Sequence, residues 1–173
     1  MTDGVVKLRR FTIDDAHDVY EACQDPEISR WTATVPWPYP KEAATGWIES
    51  HDALWSGGLH APFAVVAARD DRFLGSISIH LKPELQHAVA GYWIAADARN
   101  AGAATRGPAL AVAWTKSHAE VPCIELKTVV GNVASERVAQ KCGFQLVCVD
   151  DNYVHAGAPE RHFHVKLWRR ALG

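Results

Sequence analysis

The 173-residue sequence lacks the features that announce several large classes of protein. Lysine and arginine number 18 against 20 acidic residues, so no positive excess draws the chain to a nucleic-acid backbone or an anionic membrane, and neither is expected as a partner. No apolar run is long enough to span a bilayer, and MTDGVVKLRR has no apolar secretion core. Cys23, Cys123, Cys142 and Cys148 do not fall at metal-ligand spacings, and a chain of this size needs no disulfide staples. The expectation is a cytoplasmic protein with reduced thiols and no metal. Repeats, low-complexity tracts and linkers are missing too, so residues 1–173 read as one domain.

What is present is a mixed order of elements. VVKLRRF reads as a strand, and Thr12 with Asp15 as the cap of a helix running through Cys23. A short helical turn reaches Trp31, and KEAATGWIESHDALW is helical. FAVVAAR and FLGSISIHL form a hairpin, followed by a strand over 88–95 and a helix over 102–118. CIELKTVV is a strand, 132–141 a helix, and FQLVCVD and RHFHVKLW are the last strands, separated by the turn-rich AGAPE. Helices first, a meander next and strand–helix alternation last predict an α+β domain around a central sheet.

Seven tryptophans are many for this length. Trp47 and Trp55 lie on a helical pattern and read as core. WTATVPWPYP is different: three prolines within five residues preclude regular structure, which puts Trp31, Trp37 and Tyr39 on a loop. Large rings on a loop either pack or wall a binding site, and both readings stand.

The stretch WIAADARNAGAATRGPAL strips bulk from the junction of a strand and a helix. The first turn of a helix has unpaired N–H groups and a positive dipole end, so small residues there leave room for an anion, with Arg99 adding charge. Close packing of helix on sheet would select the same alanines. The mononucleotide loop needs a Gly-Lys-Ser/Thr ending and the dinucleotide loop three spaced glycines; neither is met. Pro108 would deprive the Ala104 carbonyl of its donor and is expected to bend the helix.

Arg99-x-x-Gly102-x-Ala104 resembles the pyrophosphate loop of the GNAT superfamily of acyl-CoA N-acyltransferases. LRRFTIDDAHDVYEACQDPEISRW, FLGSISIH, GYWIAADARNAGAAT and GNVASERVAQKCGF follow in the order of its RimJ/RimL-type, ribosomal-protein alanine N-acetyltransferase branch. The resemblance implies a single three-layer N-acetyltransferase domain over 1–173, its mostly antiparallel twisted sheet flanked by helices with a parallel pair at the cofactor cleft. It implies acetyl-CoA as cofactor and a primary amine, on a small molecule or a protein N-terminus, as acceptor. Arg99, Asn100, Ala101, Gly102, Ala103, Ala104 and Thr105 would hold the pyrophosphate. Tyr92, Trp93 and Ile94 would lie along the pantetheine arm, and Asn132 would contact the cofactor. Ser135 would steady or protonate the sulfur, while Trp31, Trp37 and Tyr39 are candidate acceptor walls. A second copy of the chain is a further candidate partner.

The sequence departs from the family's pattern at the base. Val89 stands where members often carry glutamate, and Ala139 where many carry a tyrosine. His80, His87 or water are the replacements, histidine because it titrates in the right range. Loss of both groups favours one alternative, a CoA-binding module without turnover; a transferase for a larger acyl group such as succinyl is a separate alternative that no sequence feature demands. His162 and His164 alternate on one strand face and are candidates for the acceptor wall; no third ligand completes a zinc set.

Overall fold

The computed structural model describes residues 1–173. Seven strands form one sheet: β1 (Val6–Arg9), β2 (His60–Ala67), β3 (Phe73–Lys82), β4 (His87–Ile94), β5 (Cys123–Val129), β6 (Gln145–His155) and β7 (Ala158–Ala171). Their spatial order is β1-β2-β3-β4-β5-β7-β6, and β4–β5 is the parallel pair in an otherwise antiparallel sheet. Six helices cover it: α1 (Ala16–Cys23), α2 (Pro26–Trp31), α3 (Lys41–Glu49), α4 (His51–Ser56), α5 (Ala103–His118) and α6 (Val133–Lys141).

Strand alternation assigns the two faces. Phe63, Val65, Ile77, Ile79, Ala88, Ala90, Ile124 and Leu126 join the core that α5 and α6 complete through Ala111, Val112, Val138 and Ala139. The intervening Ala64 and Val66, joined by Phe73 from beyond the register shift in the β2–β3 pair, pack against Val19, Cys23, Ala44 and Ile48 of α1 and α3. Helices on both faces give three layers. The Thr12 and Asp15 side chains form the expected capping box. Asp15 is buried and takes a two-pronged hydrogen bond from Arg9, both contacts 2.7 Å, which ties the first helix to β1.

Local differences from the sequence pattern have local causes. The helical stretch 41–56 divides at Ser50, whose hydroxyl bonds back to the Trp47 carbonyl at 2.6 Å. α5 continues across Pro108 to His118. The last hairpin is longer than its apolar motifs: a register shift skips Asp151 and Asn152, pairing resumes over Tyr153, Val154 and His155, and the turn shrinks to Ala156-Gly157.

The feature that positions the site is where β4 and β5 part. They pair at Ala88↔Ile124, Val89↔Glu125 and Ala90↔Leu126, and pairing ends there. Beyond it, Gly91–Ile94 and Lys127–Val129 leave an opening through the sheet.

Candidate active site

Two cavities meet at this opening. One, of about 290 Å³, lies toward α5 and α6 and is lined by Ile94, Arg99, Ala104, Asn132, Ser135 and Val138, among others. The second, of about 490 Å³, lies on the face of α1–α3 between β3, β4, the 32–35 loop and the β6–β7 hairpin. Trp31, Thr32, Gly91, Tyr92, Trp93, Lys127 and Val129 line both. The sheet's gap therefore joins a chamber under the helix ends to one under the aromatic loop.

At the head of the first chamber the chain turns sharply into α5. Asn100 (φ 61°) and Gly102 (φ 86°) both adopt the left-handed region, and Gly102 is the N-cap. The consecutive amides of Asn100, Ala101, Gly102, Ala103 and Ala104 have no hydrogen-bond acceptor within the protein; Thr105 is the first to find one, the Gly102 carbonyl at 3.0 Å. Five free N–H groups on a left-handed turn at a helix dipole make a concave anion receptor. Arg99 is less free than its sequence position suggests. Its Nε donates to the Ile94 carbonyl at 3.2 Å, and its guanidinium pairs with Asp25 at 2.6 Å.

Asn132 caps α6, its side-chain oxygen accepting from the Ser135 amide at 3.1 Å. Ser135 then meets a partner that the sequence motifs did not suggest. The Tyr92 hydroxyl lies 3.0 Å from the Ser135 hydroxyl. Burial pushes the Tyr92 phenol up to about 12, so it stays protonated and can donate. Tyr92 is on the strand face opposite Val89 and Trp93, so it projects toward α6. Ala139, where many family members carry a tyrosine, is a buried core position, and the phenol beside Ser135 comes from β4. Period-2 alternation carries this signal: Tyr92 shares the face of Ala88 and Ala90, the face that α6 covers.

The second chamber gathers Val89, His60, His80 and His155 together with Ser76 and Ser78. His80 stacks on His60 with ring centroids 3.7 Å apart. Burial, reinforced by His60 and Lys82, holds the His80 imidazole down to about 4, so it is neutral at physiological pH. Trp31 and Tyr39 line the chamber, Trp31 from the end of α2 rather than from the loop. Trp37 does not. It is 57% exposed, and its indole donates outward to the Gln24 carbonyl at 3.2 Å. His87 is also outside both cavities, its Nε2 3.6 Å from Glu125. The expected wall from His162 and His164 is corrected by strand parity: Phe163 and Val165 face the cavity, and His162 points away to bond Asn152 at 2.6 Å.

Similar folds are found among acetyltransferases. An acetyltransferase of the GNAT family from Bacillus anthracis superposes with a TM-score of 0.81 at 15% identity, over 97% of this chain and 95% of that one. An enzyme from Salmonella typhimurium that modifies the N-terminal serine of a 50S ribosomal subunit protein gives 0.80 at 14% identity, over 96% and 95%. Spermidine N-acetyltransferase from Vibrio cholerae, in complex with CoA and spermine, gives 0.79 at 16%, over 98% and 97%. None of the curated proteins matches the sequence itself. No helix is long and apolar enough to cross a membrane. Residues 6–145 match the acetyltransferase (GNAT) domain, and with most of its length inside that match the chain belongs to the GNAT acetyltransferase family.

Proposed function

We propose that the chain, as one catalytic domain, moves the acetyl group of acetyl-CoA to a primary amine by direct attack within the joined cavities. The carrying observation is the run of five unsatisfied amides, Asn100 to Ala104, at the entrance of a chamber that leads through the β4–β5 gap. These amides fit a pyrophosphate, because the residues around them are small and Gly102 tolerates the turn. Arg99, released from Asp25 or shared with it, adds charge beside them. The unpaired edge of β4 at Tyr92–Ile94 offers main-chain groups to an extended amide-bearing arm, and Asn132 lines the same chamber.

Acetyl-CoA, when bound, supplies the acyl carbon and a thiolate leaving group. The amine enters from the second chamber, against Trp31 and Tyr39. Its nitrogen bonds to the acyl carbon, the carbon–sulfur bond breaks, and the nitrogen loses a proton. Ser135 would give its hydroxyl proton to the departing sulfur and take one from Tyr92, 3.0 Å away, and Tyr92 regains its proton from solvent, which the proton lost by the amine replenishes. The leaving amine proton goes to water or to neutral His80. An α-amine, with a pKa near 8, already has a neutral fraction at physiological pH, so a strong base is dispensable.

Val89 in place of a carboxylate favours a second reading, a CoA-binding module without turnover. One experiment separates the two: titrate CoA calorimetrically, then follow thiol release from acetyl-CoA with a panel of amines. Uptake of CoA with turnover on at least one amine supports the transferase. Uptake without turnover on any amine supports the module, and no uptake removes both.

A further inference from the structure

The second chamber has a chemical bias that bears on which amine enters, an argument that rests on its being the acceptor site. None of its lining residues is aspartate or glutamate. It does contain a fixed cation. Lys127, half-buried on β5, makes no ion pair and no hydrogen bond with any protein group; its ammonium sits 5.1 Å above the Tyr153 ring. The neighbouring acids are engaged or outside. Glu125, two residues earlier on the same strand face, is held by Arg169 at 2.6 Å. Asp150 is exposed and accepts from the Asn152 amide at 3.0 Å.

The other polar groups are neutral donors and acceptors. His155 accepts the Gly157 N–H at Nδ1 (3.0 Å), so its neutral ring carries the proton on Nε2. Tyr153, Thr34 and Ser78 add hydroxyls, while Trp31, Phe163 and Val165 supply apolar surface. Arg161 closes the far wall by donating to the carbonyls of Thr32 (3.2 Å), Ala33 (3.0 Å) and Ser29 (3.4 Å). A half-buried ammonium without a partner is costly, and an oxyanion brought by the ligand relieves it. A polyamine would instead bring a second positive charge to a chamber with nothing to pair it.

We propose that the acceptor is a small zwitterionic amine, an apolar body bearing a carboxylate a few bonds from the primary amine, with Lys127 as its countercharge. Lys127 lines both cavities, so the carboxylate it holds leaves the amine at the β4–β5 gap. The same positive field disfavours the ammonium form of the acceptor, which offsets the missing base at Val89. The cavity of about 490 Å³ has room for a free amino acid with a bulky side chain.

The test compares L-phenylalanine with L-phenylalaninamide. The amide is the less basic amine and so has the larger neutral, reactive fraction near neutral pH, which favours it unless a countercharge favours the acid. Wild type is expected to prefer phenylalanine in kcat/KM by roughly tenfold or more, Lys127→Met to lose that preference, and Lys127→Glu to invert it. Calorimetric titration of both compounds into the CoA-loaded protein should show the same Lys127-dependent order. A wild type that prefers the amide, spermidine or a peptide with a free N-terminus overturns the proposal while leaving acetyl transfer intact. So does a preference for phenylalanine that survives both substitutions. Selective, Lys127-dependent binding of phenylalanine without thiol release upholds the acceptor chemistry and removes the transferase reading instead.

Discussion

The two chambers that meet at the β4–β5 gap are built from different material. The chamber under α5 and α6 works through main chain: five free amides, an open strand edge and two left-handed residues. The chamber under the aromatic loop works through side chains: three histidines, a lysine and large rings. A main-chain site constrains sequence only by what must be absent, namely bulk, so it serves one invariant ligand. A side-chain site is rewritten by single substitutions and can be fitted to a particular acceptor.

The sharpest way to break this contrast is at Gly102. A Gly102→Val variant must place a β-branched residue at φ 86°, where only Cβ-free residues sit without strain. CoA affinity by calorimetry is expected to fall by roughly 100-fold or more, and unchanged uptake would end the main-chain account. Next in size is the Ser135–Tyr92 pair. Ser135→Ala is expected to lower kcat by about 100-fold, with Tyr92→Phe closer to tenfold because water replaces the phenol; the Kd for CoA should stay within about threefold in both. Equal loss of CoA affinity would make the pair a binding element.

A smaller effect is expected on the side-chain side. With the His80 imidazole held down to about 4, it is unprotonated throughout the range above pH 5. The pH profile of kcat/KM should rise toward the pKa of the acceptor amine with no inflection near 6.5, and His80→Ala should cost about tenfold or less. An inflection near 6.5 that His80→Ala removes would show a working base there. The same burial has a stability consequence at His51, which is 4% exposed, packed edge-on to Trp47 and Phe11, and held down to about 4. The unfolded chain binds this proton more readily, so stability should fall as pH drops from 6.5 through about 4, by on the order of 3 kcal/mol from this group. His51→Phe should flatten that loss in denaturant titrations at pH 4.5 and 7.5. Smallest of all, Trp37→Ala should leave kcat/KM unchanged, since the ring lies outside the chamber.

Legibility in the sequence divides along the same line. The turn from Arg99 to Thr105 showed in the sequence as small residues between a strand and a helix, and the fold leaves its amides free there, as the proposed pyrophosphate site requires. The strands and the capped helices followed from alternation and from caps at Thr12 and Asn132, the parallel pair came with the family resemblance, and the spatial strand order came only with the fold. The second chamber was only partly readable: Trp31, Tyr39 and His80 were named from the sequence, but the rest of its lining is spread over β2, β3, β5, β6 and β7, and no local spacing joins His60 to His155 or Lys127 to Tyr153. His162 and His164 drew attention as a pattern, yet parity gives the cavity to Phe163 and Val165. The Asp25 partner of Arg99, from a loop 74 residues earlier, could come only from the fold.

The three bonds from Arg161 all end on carbonyl oxygens of Ser29, Thr32 and Ala33, groups that every amino acid possesses. These three bonds therefore do not depend on which side chains the wall displays. Positions 33 and 34 can be exchanged to reshape the mouth of the chamber without unfastening it, whereas the Thr32 hydroxyl is itself bonded to the Ile28 carbonyl; this makes the pair the natural place to retune what the enzyme accepts.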